Sequence, residues 1–178
     1  MGIVLITGGA RSGKSSFAES FYKGSDDVVY IATSKIYDDE MEERIRLHRS
    51  SRPSQWRTFE GNYNLCRSIG EEKNYLLDCI TVLTSNIMFD ITENMDKIPF
   101  EVQKKVENTV IDEVGSFINE IRSRNLNLVM VTNEGGSSIV PENYIARVYR
   151  DIAGRINQKI AKLCMALQGC LRGCNVYG

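Results

Sequence analysis

Short apolar runs recur along the chain and are separated by stretches with helical spacing. Four of these runs are rich in β-branched residues and have the length of buried strands: residues 3–7, 28–32, 75–80 and 126–132. A shorter run over residues 56–59 is a further candidate strand. Near-continuous apolar strands that alternate with helices are typical of a parallel sheet covered on both faces. The pattern therefore predicts an α/β fold with a mostly parallel central sheet.

Apolar positions at helical spacing predict the helices between these strands. One helix is expected directly after residue 14, one over residues 40–49 and one over residues 100–124. A long helix is expected to begin at Pro141, since proline suits the first helical turn, and to continue to about Leu163. The tail over residues 163–178 lacks the pattern of a strand. We therefore expect a single domain over residues 1–178 with an atypical end.

Composition narrows the class of protein. The chain has 178 residues, of which 42% are hydrophobic and 25% charged, as in soluble globular proteins. A net charge of −1 argues against nucleic acid as a partner. No apolar stretch approaches the roughly 20 residues of a membrane span, and no signal peptide is evident. The odd count of five cysteines favours reduced thiols, so we expect a cytoplasmic protein.

The strongest chemical signal follows the first apolar run. The sequence there reads Gly8, Gly9, Ala10, Arg11, Ser12, Gly13, Lys14, Ser15, which is the G-x-x-x-x-G-K-S phosphate-binding loop (P-loop). A strand before the loop and a helix after it direct backbone N–H groups at one anion. Lys14 is expected to reach the β- and γ-phosphates, and the Ser15 hydroxyl to bind Mg²⁺. The chain is therefore predicted to bind a nucleoside triphosphate.

Two acidic residues are candidates at other strand ends. Asp78 follows an apolar run, so it is either a second Mg²⁺ ligand at the carboxyl edge of the sheet or a polar residue in a turn. Glu60 follows the short run and is either a partner for a ribose hydroxyl or guanine edge or an ordinary surface glutamate. The glycine-rich segment over residues 133–138 is a candidate lid or acceptor-binding loop.

His48 is the only histidine of the chain. Its spacing places it on the apolar face of the predicted helix, which is compatible with a core position. The arginines around it, Arg44, Arg46, Arg49 and Arg52, favour a second interpretation. They can hold phosphates, and nearby cations keep an imidazole neutral and nucleophilic. Both interpretations of His48 remain open from spacing alone.

These segments together resemble the bifunctional adenosylcobinamide kinase/adenosylcobinamide-phosphate guanylyltransferase family. The matching segments are residues 6–15, 30–34, 38–41, 44–45, 48–49, 52–53, 56–58, 78–81, 131–134, 139–143 and 150–158. The P-loop alone is shared with many families, but the ordered set is specific. The resemblance implies a P-loop NTPase-like fold.

The resemblance also implies two reactions. The first is phosphorylation of adenosylcobinamide by ATP or GTP. The second is transfer of GMP from GTP to the resulting phosphate through a guanylylated His48, giving adenosylcobinamide-GDP. It implies a homo-oligomer, for which a homotrimer is the expected form. It also implies that Ser15 and Asp78 hold Mg²⁺. The implied nucleotide-binding residues, besides the P-loop residues 8–15, are Ala32, Thr33, Ser34, Arg49, Ser50, Ser51, Arg52, Glu60 and Asp78, and the implied catalytic residues are His48 and Lys14.

The sequence departs from the family at two places. Gly135 to Ser138 stand where the family has bulkier apolar residues, a difference that can loosen a lid or weaken corrin contacts. The tail lacks the family's last apolar strand, so the sequence predicts that this strand is missing. Two other functions remain open: a simple P-loop small-molecule kinase with a structural His48, and a nucleotide-binding module without catalysis.

Overall fold

The computed structural model describes residues 2–35, 53–93, 95–135, 140–164, 166–171 and 174–177. These residues form seven strands, β1 (Ile3–Gly8), β2 (Val28–Ala32), β3 (Arg57–Glu60), β4 (Asn74–Asp78), β5 (Asn127–Asn133), β6 (Ala166–Leu171) and β7 (Cys174–Tyr177). The helices are α1 (Lys14–Ser20), α2 (Ile80–Ile91), α3 (Phe100–Ser123) and α4 (Tyr144–Ala161), with a short 3-10 helix at Leu65–Ser68. None of the helices among these residues is long and apolar enough to cross a membrane.

All seven strands form one sheet, in the order β3-β2-β4-β5-β1-β6-β7. Strands β1 to β6 are parallel to their neighbours, and β7 is antiparallel to β6. The mostly parallel α/β sheet that the apolar runs predicted is therefore confirmed. Because parallel strands share one direction, the carboxyl ends of β1 to β5 meet at a single edge.

Helices cover both faces of this sheet. On one face, apolar residues of α2, α3 and α4 pack against Leu5, Leu77 and Met130. On the other face, Ala18 of α1 packs against Ile6 and Val131. Alternate residues of each strand point to opposite faces, so both faces require apolar residues and the strands appear as continuous apolar runs.

The tail differs from the sequence prediction. Instead of lacking the last strand, the chain forms β6 beside β1 and turns back as β7. The strand was missed because strand pairing uses backbone N–H and C=O groups, whereas the sequence pattern depends on side chains. Small residues such as Ala166 and Gly169 give no apolar signal.

The start of one predicted helix and the end of one predicted strand also need correction. The last long helix begins at Tyr144 rather than Pro141, because the side chain of Asn143 accepts a hydrogen bond from the Ala146 backbone and caps the helix there. The strand predicted over residues 75–80 ends at Asp78, and Ile80 is instead the first residue of α2. The helix predicted over residues 40–49 lies outside the described residues.

Candidate functional site

The P-loop connects β1 to α1 at the carboxyl edge of the sheet. Gly13 precedes the helix with a φ of 85°, in the left-handed region that glycine adopts without steric cost. The chain turns there, and the Phe17 backbone N–H donates to the Gly13 carbonyl at 2.9 Å, which begins the helix. Strand, turn and helix therefore stand in the arrangement that a phosphate-binding loop requires.

Lys14 is the buried cation of this loop. Lys14 is only 8% exposed to solvent, and its Nζ donates to the Gly9 carbonyl at 2.8 Å. The ammonium group therefore lies over the loop itself rather than extending into solvent. The next residue, Ser15, is partly buried in the first turn of α1, where its hydroxyl can serve as an oxygen ligand.

The predicted residues at the other strand ends lie along the same edge. Ala32, the last residue of β2, is paired in register with Glu60 of β3 on one side and with Asp78 of β4 on the other. Glu60 is exposed and Asp78 partly buried. The Tyr30 hydroxyl donates to Oδ2 of Asp78 at 2.9 Å, which fixes the carboxylate at the strand end. The edge thus carries an oriented carboxylate two strands away from the P-loop strand.

Thr33 ties the ends of β2 and β4 together and is fully buried. Its hydroxyl donates to the Cys79 carbonyl and accepts from the Cys79 N–H, both at 2.9 Å. The Thr33 carbonyl in turn accepts from the Asn86 side chain on α2 at 2.8 Å. The hydroxyl of Thr33, one of the predicted nucleotide-binding residues, is therefore bonded to the protein backbone. The hydroxyl of its neighbour Ser34 belongs to a residue that is only partly buried and is the more accessible of the two.

Cys79 is a buried thiol at the centre of this edge. Burial, and to a smaller extent the neighbouring Asp78 carboxylate, raises the pKa of the Cys79 thiol to about 11. The thiol is therefore protonated at neutral pH and is not a nucleophile. Its Sγ lies 3.2 Å from the Thr81 hydroxyl, in the first turn of α2.

A second polar cluster joins the end of β5 to its neighbours. The Asn133 side chain donates from Nδ2 to the Thr81 hydroxyl at 2.7 Å. The Asn133 carbonyl accepts from the Asn157 side chain of α4 at 3.1 Å, and the Thr132 hydroxyl donates to Asn157 at 2.7 Å. The Glu134 backbone N–H donates to the Gly8 carbonyl at 2.9 Å, at the start of the P-loop. Helix α4 is thereby connected through the end of β5 to the start of the P-loop.

A groove of about 740 Å³ lies beside the C-terminal end of α2. Its lining includes Lys35, Phe89, Asp90 and Ile145. The Lys35 ammonium contacts the Asp90 carboxylate at 3.2 Å, so the residue two positions after Thr33 is fastened to the end of α2. The phenyl ring of Phe89 is more than half exposed beside this ion pair.

The structure places some, but not all, of the predicted site residues at the carboxyl edge of the sheet. Residues 8–15, Ala32, Thr33, Ser34, Glu60 and Asp78 come together at the carboxyl edge. His48, Arg49, Ser50, Ser51 and Arg52 lie outside the described residues, so the roles predicted for them stay predictions. Sequence reasoning missed the cluster around Thr81 and Asn157, and it treated Asn133 only as part of a loop. The available signal was that Asn133 ends an apolar strand in the same way as Asp78.

The chain is similar to known proteins over most of its length. The family described as "Cobinamide kinase / cobinamide phosphate guanyltransferase" matches residues 4–177. The chain is 44% identical to the bifunctional adenosylcobalamin biosynthesis protein CobU of Escherichia coli (strain K12), over 89% of this chain and 90% of that protein. It is 41% identical to CobU of Salmonella typhimurium, with the same coverage. The bifunctional adenosylcobalamin biosynthesis protein CobP of Pseudomonas aeruginosa is 34% identical, over 90% of this chain and 87% of its own length.

Proposed function

The chain belongs to the cobinamide kinase / cobinamide phosphate guanyltransferase family, and from that premise we propose how its P-loop edge serves two successive reactions. It phosphorylates the hydroxyl group of adenosylcobinamide and then transfers GMP from GTP to the new phosphate. The products are adenosylcobinamide-GDP and pyrophosphate. The observation that supports this most directly is the P-loop with its buried Lys14 in a chain matched by the family from residue 4 to residue 177.

In the kinase step, the substrate hydroxyl oxygen attacks the γ-phosphorus of ATP or GTP. The bond between the γ-phosphorus and the bridging oxygen breaks, the nucleoside diphosphate leaves, and the hydroxyl proton is released. Charge spreads over the phosphoryl oxygens in the transition state, so catalysis depends on positioned positive groups. Lys14 and the backbone N–H groups of residues 8–15 supply them in this proposal.

In the guanylyl step, we assign the nucleophile to His48. The neutral imidazole attacks the α-phosphorus of GTP, and the bond to the β-phosphate oxygen breaks to release pyrophosphate. An oxygen of adenosylcobinamide phosphate then attacks the same phosphorus and regenerates the imidazole. A covalent intermediate divides one difficult transfer into two easier ones. Arg49 and Arg52, close to His48 in sequence, are suited to hold the phosphates.

The donor set at the edge fits Mg²⁺. This ion prefers oxygen ligands and is commonly held by one or two protein groups together with substrate phosphates. Ser15 offers a hydroxyl and Asp78 a carboxylate that the Tyr30 hydroxyl orients. Within the described part of the chain, no three His, Cys, Asp or Glu side chains gather into a metal site. When bound, Mg²⁺ would neutralise charge on the phosphates.

The setting of the enzyme is also part of the proposal. We place it in the cytoplasm, where nucleoside triphosphates are available and thiols stay reduced. Cys66, Cys79 and Cys164 are free thiols, in agreement with such a compartment. We further propose a homo-oligomer, in the simplest case a trimer, with sites near subunit boundaries. Sedimentation equilibrium of the full chain measures this directly.

Labelling with GTP carrying the isotope at the α-phosphate tests the function. The expected result is an acid-labile protein adduct that is absent from His48→Ala and is discharged by adenosylcobinamide phosphate. Lys23→Ala, which changes an exposed residue after α1, serves as the control and should label like the wild type.

The outcomes separate the alternative functions. Phosphorylation of adenosylcobinamide without any adduct would favour a simple kinase in which His48 is structural. A folded protein that binds GTP but gives neither the adduct nor phosphorylated cobinamide would leave only a nucleotide-binding module, and the proposed function would be rejected.

A further inference from the structure

Strand β5 lies between the two strands that carry the predicted phosphate and metal ligands. The sheet order places it directly between β4, which ends at Asp78, and β1, which ends at the P-loop. A residue at the carboxyl end of β5 therefore faces the space between Asp78 and Gly8, where the reacting end of a triphosphate must lie. That residue is Asn133.

The strand register fixes the position of Asn133 more closely. It is paired with Gly8, the first residue of the P-loop, and Val131 is paired with Asp78. Side chains alternate between faces along a strand, and paired residues of parallel strands share a face. Asn133 therefore lies on the same face of the sheet as Asp78, and it is two residues nearer the carboxyl end of its strand than Val131, the residue paired with Asp78. Val131 on that face packs with Ala18 of α1, the helix that follows the P-loop.

The amide of Asn133 is anchored at one end only. Its Nδ2 donates to the Thr81 hydroxyl at 2.7 Å and lies 3.8 Å from the Cys79 Sγ. Its backbone carbonyl is held by Asn157. Among the residues that the structure describes, no N–H or O–H group donates to its Oδ1. The side chain thus presents an oriented hydrogen-bond acceptor to which no described residue donates.

We propose that Asn133 is a substrate-positioning residue of the kinase step: its Oδ1 accepts a hydrogen bond from the hydroxyl group of the acceptor alcohol and orients that oxygen toward the γ-phosphorus. This inference rests on the proposed function. The hydroxyl keeps its proton until it attacks, so an acceptor is the suitable partner for it. A correctly oriented hydroxyl lowers the barrier through alignment alone. Thr81 acts through Asn133, since its hydroxyl holds the amide in the orientation that presents Oδ1.

This role predicts different effects on the kinase kcat and on nucleotide affinity. The contact concerns the alcohol and not the nucleotide, so its loss should lower the kinase kcat without weakening nucleotide binding. A purely structural role in the sheet would instead disturb the P-loop beside Asn133 and weaken both.

The experiment measures adenosylcobinamide phosphorylation and the affinity for a fluorescent GTP analogue in Asn133→Ala. The kinase kcat should fall by about tenfold or more, as for the loss of one hydrogen bond made in the transition state, while the affinity for the analogue stays within about twofold. Thr81→Val should give a smaller fall in kcat, and Thr81→Ser, which keeps the hydroxyl, should restore it.

The control is Asn127→Ala, since Asn127 begins the same strand at the opposite edge and bonds the Asn74 side chain at 3.0 Å. It should leave the kinase kcat unchanged. Equal loss of kcat and analogue affinity in Asn133→Ala, or an unchanged kcat, would overturn the inference. If Asn133→Ala does not fold, as judged by its thermal transition, the pair Thr81→Val and Thr81→Ser decides by the same criteria. A wild-type chain that does not phosphorylate adenosylcobinamide would reject the proposed function, and this inference with it.

Discussion

The chemistry of the P-loop depends on the environment of a single side chain, Lys14. A lysine in solution keeps its hydration shell and moves freely, so it stabilises phosphate charge weakly. Here the Lys14 side chain is buried against the loop and its Nζ is held by the Gly9 carbonyl. A cation that is already oriented in a partly desolvated site stabilises developing charge without reorganisation at the moment of reaction.

Lys14→Ala should therefore impair the kinase step far more than the fold. Removal of one preorganised electrostatic group costs about 10²- to 10³-fold in kcat, and triphosphate binding should weaken as well. Steady-state phosphorylation of adenosylcobinamide together with titration of a fluorescent GTP analogue measures both effects. Lys23→Ala removes an exposed lysine after the same helix and should change neither. Unchanged turnover in Lys14→Ala would show that the phosphates bind elsewhere.

Among the helices and strands, the sequence predicts the central strands correctly, but it does not predict helix α2 and it misses the strands of the tail. Strands β1, β2 and β5 are buried on both faces, so their apolar runs are unambiguous. Residues 80–91 contain many β-branched residues, whose local preference is for strands. They are helical because Ile80, Leu83 and Ile87 occupy one helix face and are fully buried. Tertiary packing therefore overrides local preference in α2.

The candidate site was predictable only where a local motif exists. Residues 8–15 carry the P-loop geometry in consecutive positions, and Asp78 stands out as an acid at the end of an apolar run. The partners of Asn133 come from α2 and α4, which are far from it in sequence. The end of an apolar run marks Asn133 itself. Its partners are brought to it by sheet order and helix packing, so no spacing along the chain reveals them.

Helices α3 and α4 are joined by a carboxylate on α3. Glu107 is nearly buried, and its Oε2 accepts from Arg155 at 2.8 Å while Lys159 contacts Oε1 at 2.5 Å. Burial alone would raise the pKa of Glu107, but the hydrogen bonds from Arg155 and Lys159 outweigh it and hold the pKa below 4.5. Asn157, which bonds the end of β5, lies between these two cations in the sequence of α4.

Glu107→Gln should lower the free energy of unfolding by about 2 kcal/mol at pH 7, since hydrogen bonds to a charged group are lost. A depressed pKa contributes stability above the ordinary value of about 4.5, and this contribution disappears as the pH falls through the lower value of the folded state. The difference between wild type and variant should therefore shrink below pH 4.5. Urea denaturation at pH 7 and at pH 3.5 measures it. Asp112→Asn, on the exposed side of α3, should show little difference at either pH. A difference that persists undiminished at pH 3.5 would indicate that the charge on Glu107 is not its source.

The position of β1 in the sheet makes the tail part of the support of the P-loop. Strand β1 is paired with β5 on one side and with β6 on the other, over residues Val4 to Gly8 in the latter case. Without β6, the backbone groups on one side of β1 would become an unpaired edge, directly next to the P-loop that follows β1. Strand β7 protects β6 in the same manner. Exposed strand edges lower stability and invite pairing with other chains.

Removal of residues 166–178 should therefore destabilise the protein much more than removal of residues 174–178 alone. The longer deletion removes both β6 and β7 and leaves one side of β1 unpaired. It should lower the Tm by about 10 °C or more, because each kcal/mol shifts the Tm of a domain of this size by about 2–4 °C. It should also weaken binding of a fluorescent GTP analogue and promote aggregation. The shorter deletion leaves β1 paired, so analogue affinity should stay close to that of the full chain. Differential scanning calorimetry and light scattering on the three proteins distinguish these outcomes. Equal Tm values for all three would show that β6 does not contribute to the sheet, and the P-loop would then be supported by β5 alone.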